Sequence, residues 1–317
     1  MESFTKEVIK GAVLVSATLF GSMGVAQTYP SETITVVSGF PAGGGTDAIA
    51  RYIAKSVSDK LGQTLVVENR PGAGGGVAAT YVSTRPGDGY TILQTISGTL
   101  SVEPVFQDLE FTKDDFIIVG GVAQFQEAIV GRADLPWNDL GELLENLESD
   151  KSQITFGSQA RIDQMVLAQI NNAAENDLVM VPFSGGPDLR TSLLGGHIDL
   201  GFSGSRHLPM IAEGQMKAIA VIGEERYDSL PETPTLIELG IPFSLNMYSI
   251  FAVPGDTPTE IVEHLSDAIV AAAQQNEFKD LVVKLDAIPV ALNSAQATDI
   301  VERQLKSVME TKTLMGE

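Results

Sequence analysis

No cysteine occurs in the 317 residues. That excludes disulfides, thiolate metal sites, cysteine nucleophiles and any lipid anchor built on an N-terminal cysteine. A secreted chain of this size does without disulfide staples, because its apolar core can carry it. Histidine is also scarce: His197, His207 and His264 stand in unrelated contexts with no metal-ligand spacing. Positive charge is short too, with 20 Lys and Arg against 41 Asp and Glu, a net charge of −21. Such a surface repels nucleic acid and anionic lipid, and it repels an anionic ligand at long range. Any anion site on this chain must therefore work through local donors.

Long apolar runs are missing, with one exception. Residues 11–26 carry no charge, follow Lys6 and Lys10, and end in the small residues Gly24-Val-Ala26. The pattern is that of a secretory signal peptide, residues 1–26, cleaved near Ala26. Glu2 and Glu7 dilute its basic start and keep a buried N-terminal helix as the alternative. The run is short for a membrane span, which needs about 20 residues. Its removal leaves about 290 residues, enough for two domains. The mature chain is expected to be periplasmic, monomeric and free of membrane insertion.

What the chain has is glycine, placed in loops. Ile34-Thr-Val-Val37 is a β-branched run that predicts a buried strand, and Gly43-Gly-Gly45 then makes a turn. Thr46-Asp47 opens an apolar-periodic helix through Ile49, Ile53, Val57 and Leu61. Strand, glycine loop and helix start aim free backbone N–H groups at one point, where the helix dipole favours negative charge. A small anion is the reading this geometry favours. Gly43 to Ala48 also satisfies the dinucleotide pattern G-x-G-x-x-A, with Glu68 where a ribose acid would stand, and a plain structural turn is the third reading. A phosphate loop is disfavoured because Gly45 occupies the lysine position.

Strand-like and helix-like segments alternate along the chain, the α/β signature. Strands are expected at 33–38, 64–68, 91–95, 117–122, 128–131, 154–156, 179–182, 200–202, 218–221 and 248–253. Helices are expected at 46–61, 76–85, 140–150, 164–174, 188–195, 208–213, 258–275 and 295–312. Two runs, 117–131 and 243–253, are extended where a turn would be expected. They fit a hinge of two crossover strands. A discontinuous first lobe is expected at 27–124 plus 250–317, with a second lobe inserted at 125–249.

The loops also carry a family likeness. Phe40-Pro-Ala-Gly-Gly-Gly-Thr-Asp47, Val66-Val-Glu-Asn-Arg-Pro-Gly-Ala-Gly-Gly75 and Pro86-Gly-Asp-Gly-Tyr-Thr91 resemble the Bug-type substrate-binding receptors of tripartite tricarboxylate transporters. The likeness continues through Val181-Pro-Phe-Ser-Gly185, Leu193-Leu-Gly-Gly-His-Ile-Asp199, Leu230-Pro-Glu-Thr-Pro-Thr235 and Phe251-Ala-Val-Pro-Gly-Asp-Thr-Pro258, in order, from about Tyr29 to the C-terminus. The resemblance implies a two-lobed periplasmic-binding-protein fold of type II. It implies a non-enzymatic receptor that takes a small carboxylate and hands it to transporter membrane subunits, with no cofactor.

On this reading the proximal carboxylate meets Phe40, Pro41, Ala42, Gly43, Gly44, Gly45, Thr46 and Asp47. Ser97 and Gly98, closing the strand at 91–95, and Ser158, Ser184, Gly185 and Ser203 in the second lobe hold the rest. Relatives usually carry Gly, Ser and Thr where this chain has Gln159, Arg161 and Asp163. Arg161 could clamp a second carboxylate and select a dicarboxylate. Asp163 could bind an amine or pair with Arg161, and a plain surface pair is the remaining reading. The loop at 69–76 reads as a structural turn at least as readily as a ligand contact, with Arg70 an ion-pair partner. Phe40, Phe183 and Tyr248 are candidates for the pocket wall. Two other functions stay open: a sensor for a signalling partner, and a secreted α/β enzyme on a carboxylate or ester. For the enzyme, Gly201-Phe-Ser-Gly-Ser205 is only a near miss to G-x-S-x-G.

Overall fold

The computed structural model describes residues 29–149, 153–174, 177–183, 186–203 and 207–316. The expected leader lies outside these, as do Ser184 and Gly185. In chain order the strands are β1 (Ile34–Ser38), β2 (Leu65–Asn69), β3 (Thr91–Ile96), β4 (Phe116–Phe125), β5 (Ala128–Arg132), β6 (Thr155–Ser158), β7 (Val179–Pro182), β8 (Leu200–Ser203), β9 (Met216–Val221), β10 (Tyr248–Pro254) and β11 (Ala287–Leu292). The helices are α1 (Gly45–Leu61), α2 (Gly76–Ser83), α3 (Gly98–Ser101), α4 (Glu103–Phe106), α5 (Leu140–Ser149), α6 (Arg161–Ala173), α7 (Gly186–Leu194), α8 (Leu208–Ala212), α9 (Thr259–Ala273), α10 (Asn276–Lys284) and α11 (Ser294–Leu314).

Two sheets form, with strand orders β11-β4-β10-β3-β1-β2 and β7-β6-β8-β5-β9. In each sheet the strand arriving from the other, β10 or β5, inserts antiparallel between two resident strands. The two halves thus share one plan, the type II arrangement, and the chain crosses between them twice. Helices cover both faces of the first sheet. Ile49, Ile53 and Val57 of α1 meet Leu265 and Ile269 of α9 on one side, and Ala79 and Val82 of α2 meet Val301 of α11 on the other. The second sheet buries Phe156 and Ile219 with Met165, Val166 and Ile170 of α6, while Leu189 and Leu193 of α7 close its opposite face.

Local signals explain the boundaries. Helix α1 buries positions four apart and stops at Gly62, whose left-handed conformation (φ 68°) lets its N–H cap Ser58 O. Helix α11 starts on Asn293, which exchanges capping bonds with Gln296. It also reaches both cores: Val301 joins the first, Val308 the second, and Gln169 of α6 donates to Thr311 at 2.9 Å.

The first crossing matches expectation, since only Gln126 and Glu127 separate β4 from β5. The second differs. Phe243, Leu245 and Met247 are buried alternately, but pairing as a strand begins only at Tyr248. The preceding residues are tied instead to the end of β9, through Leu245 N–H to Ile222 O (3.0 Å), and to the end of β4, through Phe125 N–H to Met247 O (2.8 Å). The expected helix 258–275 is α9 alone, and α10 and β11 follow it unannounced. Pro289 masks β11 as a strand, and it is tolerated there because β11 is the sheet edge.

Candidate ligand-binding site

The first glycine loop leaves β1 at its C-terminal end and turns into α1. Pro41, Ala42, Gly43 and Gly44 are exposed, and Phe40, Gly45 and Thr46 are half-buried. Gly43 needs its left-handed conformation (φ 82°). The intrahelical ladder of α1 begins with Ala48 N–H to Gly44 O at 3.0 Å, so the N–H groups of Gly45 and Thr46 precede it and point out of the helix start. Asp47 plays another part. Its buried carboxylate accepts from Gly43 N–H (2.9 Å), Arg51 Nε (2.9 Å) and Asn69 Nδ2 (2.8 Å). Burial would raise this carboxyl; Arg51, the Gly43 N–H and Asn69 outweigh it and hold it below its ordinary range. Asp47 therefore ties the loop to its own helix and to β2.

The second glycine loop is structural. A β-carbon on Gly75 would lie 2.5 Å from Thr95 Oγ1 and 2.6 Å from Thr99 Oγ1, and one on Gly39 would lie 2.9 Å from Gly75 Cα. The two loops thus pack backbone to backbone. Thr99 donates to Gly74 O at 2.6 Å, while Ser38, Gln94 and Ser249 form a buried hydrogen-bonded row beneath. Arg70 pairs with Glu68 at 2.7 Å and lies 3.7 Å over the Tyr81 ring, as its ion-pair reading expects.

Ser97 and Gly98 are buried where β3 meets α3. Ser97 Oγ accepts from Tyr248 N–H (3.1 Å) and points to Met247 Sδ (3.6 Å). A β-carbon on Gly98 would lie 2.9 Å from Met247 Cε. The loop after β3 is therefore packed directly on the second crossing. Tyr248 turns elsewhere, into a cavity of about 310 Å³ shared with Glu224, Asn246, Arg303 and Gln304, and none of the glycine-loop residues lines it.

In the second half, Ser158 ends β6 and is buried, its carbonyl accepting from Phe183 N–H at 2.7 Å. Ser203 ends β8 opposite Ala128, beside the first crossing. Arg161 opens α6. Its guanidinium bonds Gln164 Oε1 (2.8 Å) and sits 4.7 Å over the Phe106 ring. Burial raises the Glu103 carboxyl, against a hydrogen bond from Gln107 and the charge of Arg161. Arg161 thus bridges α6 to α4, across the two halves. Asp163 is fully buried, and its Oδ2 accepts from Gln159 N–H (2.6 Å) and Ala160 N–H (3.2 Å). Burial holds its carboxyl up at about 7, against those N–H bonds.

Sequence reasoning passed over Glu127. This buried residue lies in the first crossing, its Oε2 accepting from Met247 N–H at 3.3 Å, while its own N–H reaches the Tyr227 hydroxyl at 3.3 Å. Burial pushes its carboxyl well above the ordinary range, and the charge of Asp163 adds to the shift. One signal was available: an acid directly before the apolar strand Ala128-Ile-Val130.

Of the strand-end loops, the one after β3 packs on the second crossing and β8 ends beside the first. The family described as tripartite tricarboxylate transporter family receptor matches residues 49–313. The chain belongs to that family. It is 32% identical over 290 residues to a UPF0065 protein encoded in the ttuE–ttuC′ intergenic region of Agrobacterium vitis, covering 90% of this chain and 84% of that one. A ligand-free TctC solute-binding protein from Polaromonas superposes with a TM-score of 0.80 at 27% identity, covering 90% of this chain and 99% of that one. MatC from Rhodopseudomonas palustris, solved with bound malate, gives 0.72 at 27% identity, covering 89% and 99%. The receptor family and the two-lobed α/β fold implied by the resemblance are thereby borne out. No described helix is long and apolar enough to cross a membrane.

Proposed function

We propose that this family member is a periplasmic receptor that closes its two lobes, 27–124 plus 250–317 and 125–249, around a small carboxylate and delivers it to transporter membrane subunits. The observation that carries the reading is an exposed glycine loop with free N–H groups at the start of α1, in a two-sheet fold whose loop after β3 packs on the second crossing and whose β8 ends beside the first. The malate-bound neighbour supports the ligand class. The carboxylate meets N–H groups between Ala42 and Thr46, with Phe40, Pro41 and Gly43 to Gly45 shaping the approach and Asp47 holding the loop. Ser97, Gly98, Ser158 and Ser203 contribute from the strand ends, together with Ser184 and Gly185, which lie outside the described residues. Arg161, held over Phe106, acts on closure. A ligand that touches both lobes favours the closed state, and capture follows as a population shift.

The protein acts by binding rather than turnover, as a solute-binding family member. Thermal-shift titration with mono-, di- and tricarboxylates tests the reading, since ligand at 100 times its dissociation constant stabilises by about 2.7 kcal/mol. No shift with any carboxylate overturns it. Conversion of a bound carboxylate to product restores the enzyme reading.

A further inference from the structure

Two carboxyl groups are buried in the second half, Glu127 in the first crossing and Asp163 in the first turn of α6. Asp163 is 0% exposed and Glu127 7%. Asp163 Oδ2 serves two backbone N–H groups, whereas Oδ1 is buried with no hydrogen-bond partner among the described residues. Among the described residues the Glu127 carboxyl accepts one bond, from Met247 N–H at 3.3 Å. Asp163 lies near enough for its charge to act on Glu127. Among the described residues no lysine or arginine pairs with either carboxylate. Arg161 is turned to Phe106 and Gln164.

Buried acids of this kind are expensive unless a positive charge or a donor answers them. Capping α6 does not require the expense, because a hydroxyl or amide side chain also accepts an N–H bond at a helix start. The position is also the right one: Asp163 follows the Ser158–Ala160 loop, and Glu127 precedes Ala128, which pairs with Ser203. Two acidic side chains in segments that also carry the hydroxyls of Ser158 and Ser203 suit a group with three N–H donors and a positive charge.

We propose that Glu127 and Asp163 form a subsite for a protonated amine, so that the ligand is a small carboxylate bearing an ammonium group. The inference rests on the carboxylate-receptor reading and narrows it. The overall charge of −21 agrees with it, because that field opposes a dicarboxylate but not a zwitterion.

Calorimetric titration of the mature protein with matched pairs tests it: 4-aminobutyrate against butyrate, 5-aminovalerate against valerate, and L-glutamate against glutarate. In at least one pair the amine-bearing ligand is expected to bind at least about tenfold tighter, the scale of a desolvated charge pair. Asp163→Asn and Glu127→Gln should each erase most of that difference while leaving the amine-free ligand within about twofold. If amine-free ligands bind as tightly as their partners in every pair, the amine subsite is wrong and the carboxylate receptor stands. If neither these six ligands nor malate and adipate bind, both readings fall. Stabilisation by calcium chloride alone, with no preference for amines, assigns the acids to a metal ion and overturns the proposal. Should Asp163→Asn not fold, the wild-type pairs and Glu127→Gln decide the matter, and discrimination that survives Glu127→Gln overturns it.

Discussion

Gly44 has ordinary extended dihedrals, φ −79° and ψ 170°, and a β-carbon there would meet only Pro41 O, at 3.4 Å. The fold does not need a glycine at this position, whereas close approach of a ligand does. Gly44→Val is therefore expected to keep its melting temperature and lose carboxylate binding. Unchanged affinity by calorimetry in the folded variant would place the anion elsewhere. Asp163 makes the opposite demand on stability. Its carboxyl is raised from 3.8 to about 7 in the folded protein, so the native state binds more protons than the unfolded one between those values. Its contribution is present in full below pH 3.8 and is lost as pH rises to about 7. Asp163→Asn should flatten that decline and make the unliganded protein more stable at neutral pH, read from urea midpoints across the range. A steeper decline in the variant would contradict the buried, uncompensated acid.

At the scale of elements, the two glycine loops look alike in sequence and do different work. The first presents N–H groups to solvent; the second is wedged under Thr95 and Thr99. Gly75 combines a left-handed backbone (φ 95°) with no room for a β-carbon, whereas Gly43 (φ 82°) has nothing within 4 Å of that position. Gly75→Ala is expected to cost at least about 1–3 kcal/mol from overpacking on top of backbone strain, and Gly43→Ala about 1–2 kcal/mol from strain alone. Chemical denaturation of both variants checks the order. Equal losses would mean that the loops are not packed as described. The same scale shows what was legible. Alternation and glycine punctuation marked most strands to within a residue or two. Helix α10 was hidden because it buries only Phe278 and Val282, too few for a periodic signal, and β11 because Pro289 argues against pairing until its edge position is known.

For the whole molecule, cleavage of the expected export signal would leave the acidic charge as it is. Removal of residues 1–26 takes out two lysines and two glutamates, so the mature charge is unchanged. Mass spectrometry of the extracytoplasmic fraction should find an N-terminus near Gln27; an intact Met1 in the cytoplasm would contradict export. Closure has its own physical handle. Arg161 of α6 reaches Phe106 of α4 across the halves, and α11 packs into both cores. The halves are thus joined by contacts beside the crossings.

Order, class and family were determined by the sequence alone, because their signals are local. A strand, a glycine turn and a capped helix are each written in neighbouring residues, and family motifs are strings. The first crossing was legible for the same reason, as one unbroken extended run. Tertiary structure decided what each loop residue does. It turned Asp47 onto its own loop, set Arg161 over an aromatic ring from the other half, and buried Glu127 near Asp163. Those outcomes depend on which side chains meet through space and on which are taken from water. No spacing along the chain records either.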